Sequence, residues 1–313
     1  MFYTFPLLSL QCVSSHIGSG RSYSQSSGTL LVSDCGFSRV SDFNGDGGVI
    51  YADLTCSLVV SLSFFLSCGC QGNGGAIYTN CADVTISKVC GGSCRSSDQG
   101  IFGYFQQSGT IQMEYLSVTK GTSGYRTIYL RYGSQTFHRT NISHNSVNEI
   151  SGLITSNPTY FSSQYCTIAN NQVSDSKCLY LCSGQSGRSI SGMNIIGNNS
   201  PGFGVVTCDF SGSYSMTGCI FNDNSNTLLC ATAGSSLTVS QSSIAHTSTK
   251  KSGSVTTSSI TLQTRTPIPY TYFESLGCQA QFPLYPPRTP TMYIPSKHHR
   301  APFQPLLLVF IFH

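Results

Sequence analysis

Charge is what this sequence has least of. Asp, Glu, Lys and Arg make up 9% of its 313 residues, against about 25% in typical soluble domains. The net charge is +4 with no long basic run, which argues against a nucleic-acid partner. Trp is absent, and only Pro6, Pro158 and Pro201 precede Arg265. No segment carries ten residues of helical periodicity. The longest apolar run, residues 58–66, is too short to cross a bilayer. Gly45-Asp46-Gly47-Gly48 lacks the Gly-Lys-Ser/Thr ending of a phosphate loop, and no Gly-x-Ser-x-Gly elbow occurs.

What is present is repetition. Thr140-Asn141-Ile142-Ser143-His144-Asn145 is echoed by Cys166-Thr167-Ile168-Ala169-Asn170-Asn171. Asn194-Ile195-Ile196-Gly197-Asn198-Asn199 and Cys219-Ile220-Phe221-Asn222-Asp223-Asn224 continue the series. Anchored on Ile142, Ile168, Ile196 and Phe221, the steps are 26, 28 and 25 residues. A second series, anchored on Ile50, Ile77, Ile128, Ile154 and Val205, has similar spacing. It includes Gly47-Gly48-Val49-Ile50-Tyr51 and Gly74-Gly75-Ala76-Ile77-Tyr78. A fixed period of this size indicates a stacked repeat.

Each repeat holds short runs of β-formers divided by Gly, Ser, Asn and Asp. Leucine-rich repeats are excluded by consensus, and a propeller blade needs about 40 residues. The fold expected is all-β: a right-handed parallel β-helix of about nine coils over residues 21–264. One coil cannot bury its own apolar face, but stacked coils share a core. Asn and Gly are expected at the corners, where the backbone turns left-handed, with Asn also able to form ladders along the stack.

Residues 1–20 read either as a signal peptide or as a mis-started N-terminus. Residues 265–313 hold nine of the twelve prolines and read as an extended or disordered tail. The tail ends in seven apolar residues, 306–312, short of a membrane span, and reads as a truncated anchor or an altered reading frame. Fifteen cysteines fit either an oxidising, extracellular setting or a column of buried thiols. Cys182 and Cys208 align as column-mates, and Cys230 joins them within one residue.

The twelve carboxylates are scattered. Asp209 could meet Asp223 or Asp175 only through stacking, at differing offsets. Cys90-Gly91-Gly92-Ser93-Cys94 and Cys178-Leu179-Tyr180-Leu181-Cys182 have no second pair at zinc spacing, so no metal or cofactor is expected. His138 and His144 read as solvated. Asn141 and Asn198 begin N-glycosylation sequons, which Asn-rich corners also generate by composition. Tyr104, Tyr125, Tyr129 and Tyr132 are candidates for contact with glycans.

Gly74-Gly75-Ala76-Ile77 and Phe221-Asn222-Asp223-Asn224 resemble the GGAI and FxxN repeats of polymorphic outer-membrane adhesins. Ser- and Cys-rich coils before a Pro-rich segment, joined through Tyr272-Phe273-Glu274 and Cys278-Gln279-Ala280, are also similar to the β-helix surface families of parasitic trichomonads. The resemblance implies a cell-surface or secreted protein engaged in adhesion or antigenic variation. Such families add a membrane helix, and none is evident in this sequence. The expected function is non-catalytic presentation of a polar face to a host or neighbouring-cell ligand, glycans included. The alternatives are a polysaccharide lyase or hydrolase on a pectin-lyase-like fold, and a degenerate paralogue.

Overall fold

The computed structural model describes residues 7–11, 15–19, 23–42, 44–106, 109–174, 177–183, 187–225, 227–245 and 251–273. These form a parallel β-solenoid of about eight turns with no helix. Among the described residues no helix is long and apolar enough to cross a membrane.

One coil shows the plan. Arg126–Arg131, Ser134–His138 and Asn141–Ser143 are its three strands. Each pairs in parallel with its counterpart in the next coil: Ile150–Ser156, Tyr160–Gln164 and Thr167–Ala169. The three ladders are called sheets A, B and C. In the earlier coils sheets B and C run on without a break, as in Asp83–Gly92 and Thr110–Thr119. Stacking supplies most strands of the inner coils with neighbours on both sides and closes an apolar interior shared by successive coils. Phe37, Phe65, Phe105, Phe137, Phe161 and Phe221 are among its largest buried side chains.

The corners differ from the sequence expectation. The residue turning from sheet B into sheet C has φ near +50° to +60° in coil after coil, yet it is Leu62, Lys88, Tyr115, Arg139 or Tyr165 as readily as Gly192 or Gly218. A left-handed residue costs about 1–2 kcal/mol, and the ladders on both sides hold it in place. Asn takes the left-handed position at Asn157 and Asn170, and other Asn residues do the second job. Asn145, Asn171, Asn198 and Asn224 follow the left-handed position at the corner after sheet C, and their side chains are tied from coil to coil.

Glycine is required at the Gly-Gly dipeptides. Gly47 and Gly74 have φ of +69° and +71°, and a Cβ on Gly75 would come within 2.2 Å of the Ile101 carbonyl oxygen. The repeated Gly-Gly motif thus marks a corner where one coil's backbone lies directly on the next.

Several column assignments move by one residue, which changes face because side chains alternate. Ile168 pairs with Ile195, not Ile196, and Ile195 then pairs with Phe221. Ile128 pairs with Leu153, not Ile154, and Leu179 pairs with Val206, not Val205. Ile50–Ile77 and Ile142–Ile168 are in register. Cys182 and Cys208 are not column-mates. Cys182 pairs with Asp209 on the outer face, whereas Cys208 pairs with Leu181 and belongs to the interior. Cys230 pairs with Thr207.

The stack also exceeds the limits read from sequence. Leu7–Gln11 pairs with residues 29–33, ahead of residue 21. Beyond residue 264 the chain stays on the solenoid to residue 273, bonded to the outer face of sheet C. Residues 274–313, including the prolines from Pro283 onward and the apolar end, lie outside the described residues.

Cys56 and Cys81 form a disulfide with Cα atoms 5.0 Å apart. They are not register partners, because Ser57 pairs with Asp83. That offset lets their side chains converge, which parallel in-register Cβ vectors resist. Cys35 and Cys90 each also belong to a disulfide.

Candidate polar cleft on sheet B

Alternation along sheet B points every second side chain away from the core. The outward residues are Thr85 and Ser87, then Gln112 and Glu114, then Thr136 and His138, then Ser162 and Gln164. Register places them in two columns crossing four coils. With Tyr160 they line a cleft of about 570 Å³. The inward residues between them, including Val84, Ile86, Ile111, Met113, Phe137 and Phe161, fill the core. One strand therefore supplies the rigid floor and the polar surface together.

His138 Nδ1 lies 3.2 Å from Glu114 Oε1 in the adjacent coil. The other floor side chains are neutral hydroxyls and amides. Tyr160 stands 49% exposed at the sheet A edge of the cleft. Just beyond Gln164 at the opposite side, outside the lining itself, Tyr165, 44% exposed, occupies the left-handed corner, its ring 5.5 Å from that of His138. Next along this edge Arg139 lies 5.0 Å over the Tyr115 ring and donates to its hydroxyl.

This arrangement can offer many neutral hydrogen-bond partners over a flat floor, bounded by aromatic rings. Pockets of comparable volume that take apolar ligands are lined mainly by hydrophobic groups; this lining sets hydroxyls, amides and the Glu114–His138 pair among the edges of Ile86, Met113 and Phe137. Among the described residues no three His, Cys, Asp or Glu side chains gather as a metal site would require.

The sequence-derived candidates are placed elsewhere. Asn141 is 2% exposed and donates to Ser143. Asn198 is 1% exposed; its Oδ1 accepts from the Asn171 backbone and side chain, and its Nδ2 donates to Ile168 O and Asn224 Oδ1. A glycan on Asn198 is incompatible with that ladder. Tyr104 is buried in a column with Tyr78 and Tyr129 on the outer face of sheet A, at centroid distances of 5.4 and 5.0 Å. Burial and Asp46 push the Tyr78 phenol up to about 12. Arg126 lies 4.6 Å over the Tyr129 ring. Tyr125 and Tyr132 are exposed at corners and do not line the cleft.

The carboxylates stay dispersed. Asp209 belongs to sheet A, Asp223 to the corner after sheet C, and Asp175 lies outside the described residues. Burial works to raise the Asp209 carboxyl. Bonds from Thr232, the Phe210 amide and Tyr180, with Lys177 nearby, outweigh it and hold the group below its usual value. Burial, with Lys120 adding to it, lowers His144, whose imidazole lies 3.4 Å from Asn170 Nδ2 and is not part of the cleft.

Glu114, His138, Tyr160 and Tyr165 were not singled out as a group by the sequence. Their signal lies in Thr110–Thr119, Ser134–His138 and Tyr160–Gln164, once these strands are aligned by coil. No family model matches the chain, and no curated protein and no solved structure is significantly similar to it. The likeness to adhesin and trichomonad surface repeats thus rests on the short motifs alone.

Proposed function

We propose that this protein is a non-catalytic binding solenoid whose sheet B cleft holds a saccharide. The observation carrying the reading is the cleft itself: a floor of hydroxyls, amides and the Glu114–His138 pair across four coils, with Tyr160 in its lining and Tyr165 at the corner beside His138. Sugar hydroxyls match Ser, Thr and Gln partners, and sugar C–H faces match aromatic rings. Each neutral bond contributes only about 0.5–1.5 kcal/mol, so useful affinity needs several at once, which a multi-coil floor supplies. The Cys56–Cys81 disulfide supports an oxidising compartment, and hence a secreted or surface location with a host or neighbouring-cell glycan as partner.

A lyase or hydrolase is the second reading, favoured by the Glu114–His138 pair in the cleft. The common hydrolase mechanism needs two carboxyl groups about 5–9.5 Å apart, and the cleft lining holds one. The test is a glycan array probed with folded protein and with Tyr160→Ala. Binding to a glycan class, lost in the variant, supports the proposal. A folded protein that binds no glycan overturns it. Release of reducing ends from a bound glycan, abolished by Glu114→Gln, transfers the case to the enzyme.

A further inference from the structure

After Thr261 the chain leaves the last coil and runs along the outer face of sheet C, across successive coils. Polar side chains of that face hold its backbone. Ser243 Oγ donates to Gln263 O at 2.6 Å, and Asn222 Nδ2 donates to Arg265 O at 2.7 Å. Asn194 grips Ile268 from both sides, with Nδ2 donating to its carbonyl at 2.8 Å and Oδ1 accepting its N–H at 3.1 Å. Ile268 lies between Pro267 and Pro269, so it carries the one N–H of that tripeptide, and this is the N–H used. The two prolines also restrict the free segment and reduce the entropy lost on docking.

The strap then brings Tyr270 to the corner between sheets B and C. The Tyr270 hydroxyl donates to Gly192 O, and its ring lies 5.7 Å from the Tyr165 ring. Tyr272 is buried, with its hydroxyl on Thr167. Gly192 occupies the left-handed corner one coil beyond Tyr165. A Cβ there would come within 3.1 Å of both the Tyr165 ring and the Tyr270 hydroxyl. The corner is thus kept bare where the two rings meet. His138, Tyr165, Tyr270 and Tyr272 form one chain of ring contacts from cleft floor to strap.

From this we infer that residues 263–273 are part of the cleft's construction, with Tyr270 the positioning residue that holds Tyr165 at the rim. This rests on the saccharide reading for its ligand but not for its geometry. Coupling between two sites is reciprocal, so a saccharide resting on Tyr165 stabilises the docked strap as much as the strap improves binding.

Hydrogen exchange read by mass spectrometry on the full chain tests this. Tyr270→Ala should raise exchange in residues 263–273 and also in the peptide containing Tyr165, and weaken the array-selected glycan by about fivefold. Gly192→Ala should repeat the pattern. Ile268→Ala, which keeps both backbone bonds to Asn194, should change neither region. Faster exchange in the strap with an unchanged Tyr165 peptide overturns the inference and leaves the strap a simple tether. If the wild-type protein binds no glycan, the saccharide reading fails, while the exchange pattern of the Tyr165 peptide still decides whether Tyr270 braces it.

Discussion

The two halves of the solenoid fix their stacking at different corners. In the first half the polar column lies before sheet A: Asn73 donates twice to Asp46, and the Gln99 amide donates to Asn73. The corner after sheet C is there apolar, with Val40, Cys68 and Cys94 buried. In the second half that same corner carries the ladder of Asn145, Asn171, Asn198 and Asn224, begun by Gly121 N donating to Asn145 Oδ1. Aromatic stacking follows the opposite trend. Phe37–Phe65, Tyr51–Tyr78 and Tyr78–Tyr104 are stacked at 5.0–5.4 Å, all in the first half. Apolar columns are tolerant of small slips, whereas an amide ladder accepts one register, because a slip leaves buried donors unpaired. The first half therefore depends more on shape and the second more on hydrogen-bond satisfaction.

Phe65→Ala should give the largest effect, about 4 kcal/mol. Because coils contact only their neighbours, hydrogen exchange should rise around residues 36–105 and stay unchanged beyond Asn171. Uniform loosening of both halves would contradict the division. Asn171→Ala comes next, at about 3 kcal/mol, since it removes the side-chain donor to the buried Ile142 carbonyl and the acceptor of the buried Asn145 backbone N–H. Cys94→Ala, at the equivalent corner of the first half, should cost about 1 kcal/mol. Equal costs in urea unfolding would erase the distinction between the corners.

The smallest effect is set by pH. Asp209 is held below its unfolded value of about 3.9, so its contribution is present above about pH 4. It is lost as pH falls through the lower, folded value. Screening at this partly exposed site keeps the contribution under about 1 kcal/mol. Asp209→Asn should flatten the acid side of the stability profile by that amount; an unchanged profile would assign the acid dependence to other groups.

The fold was legible because its signal is periodic. Ile50, Ile77, Ile142 and Ile168 occupy matching ladder positions, and a coil of this length has few ways to hide them. Register within a coil was less legible. Asn194-Ile195-Ile196 and Leu153-Ile154 offer two adjacent apolar residues, and only the backbone ladder decides which faces inward. The cleft was hidden for a related reason. Gln112, Thr136 and Ser162 are unremarkable singly, and become a surface only when three strands are superposed in register. The strap could not be read at all, because Pro267 and Pro269 argue against a sheet ladder. That argument holds, yet side chains of Asn194, Asn222 and Ser243 bind the segment without one.

The central claim is that the sheet B cleft, not the aromatic surface elsewhere, is where a ligand sits. It is tested most directly by titration calorimetry of an array-selected glycan against two variants. Tyr160→Ala should abolish binding, and Phe203→Ala, which removes a 57% exposed ring packed on Lys177 away from the cleft, should leave it intact. Retained binding in the first variant with loss in the second would contradict the account.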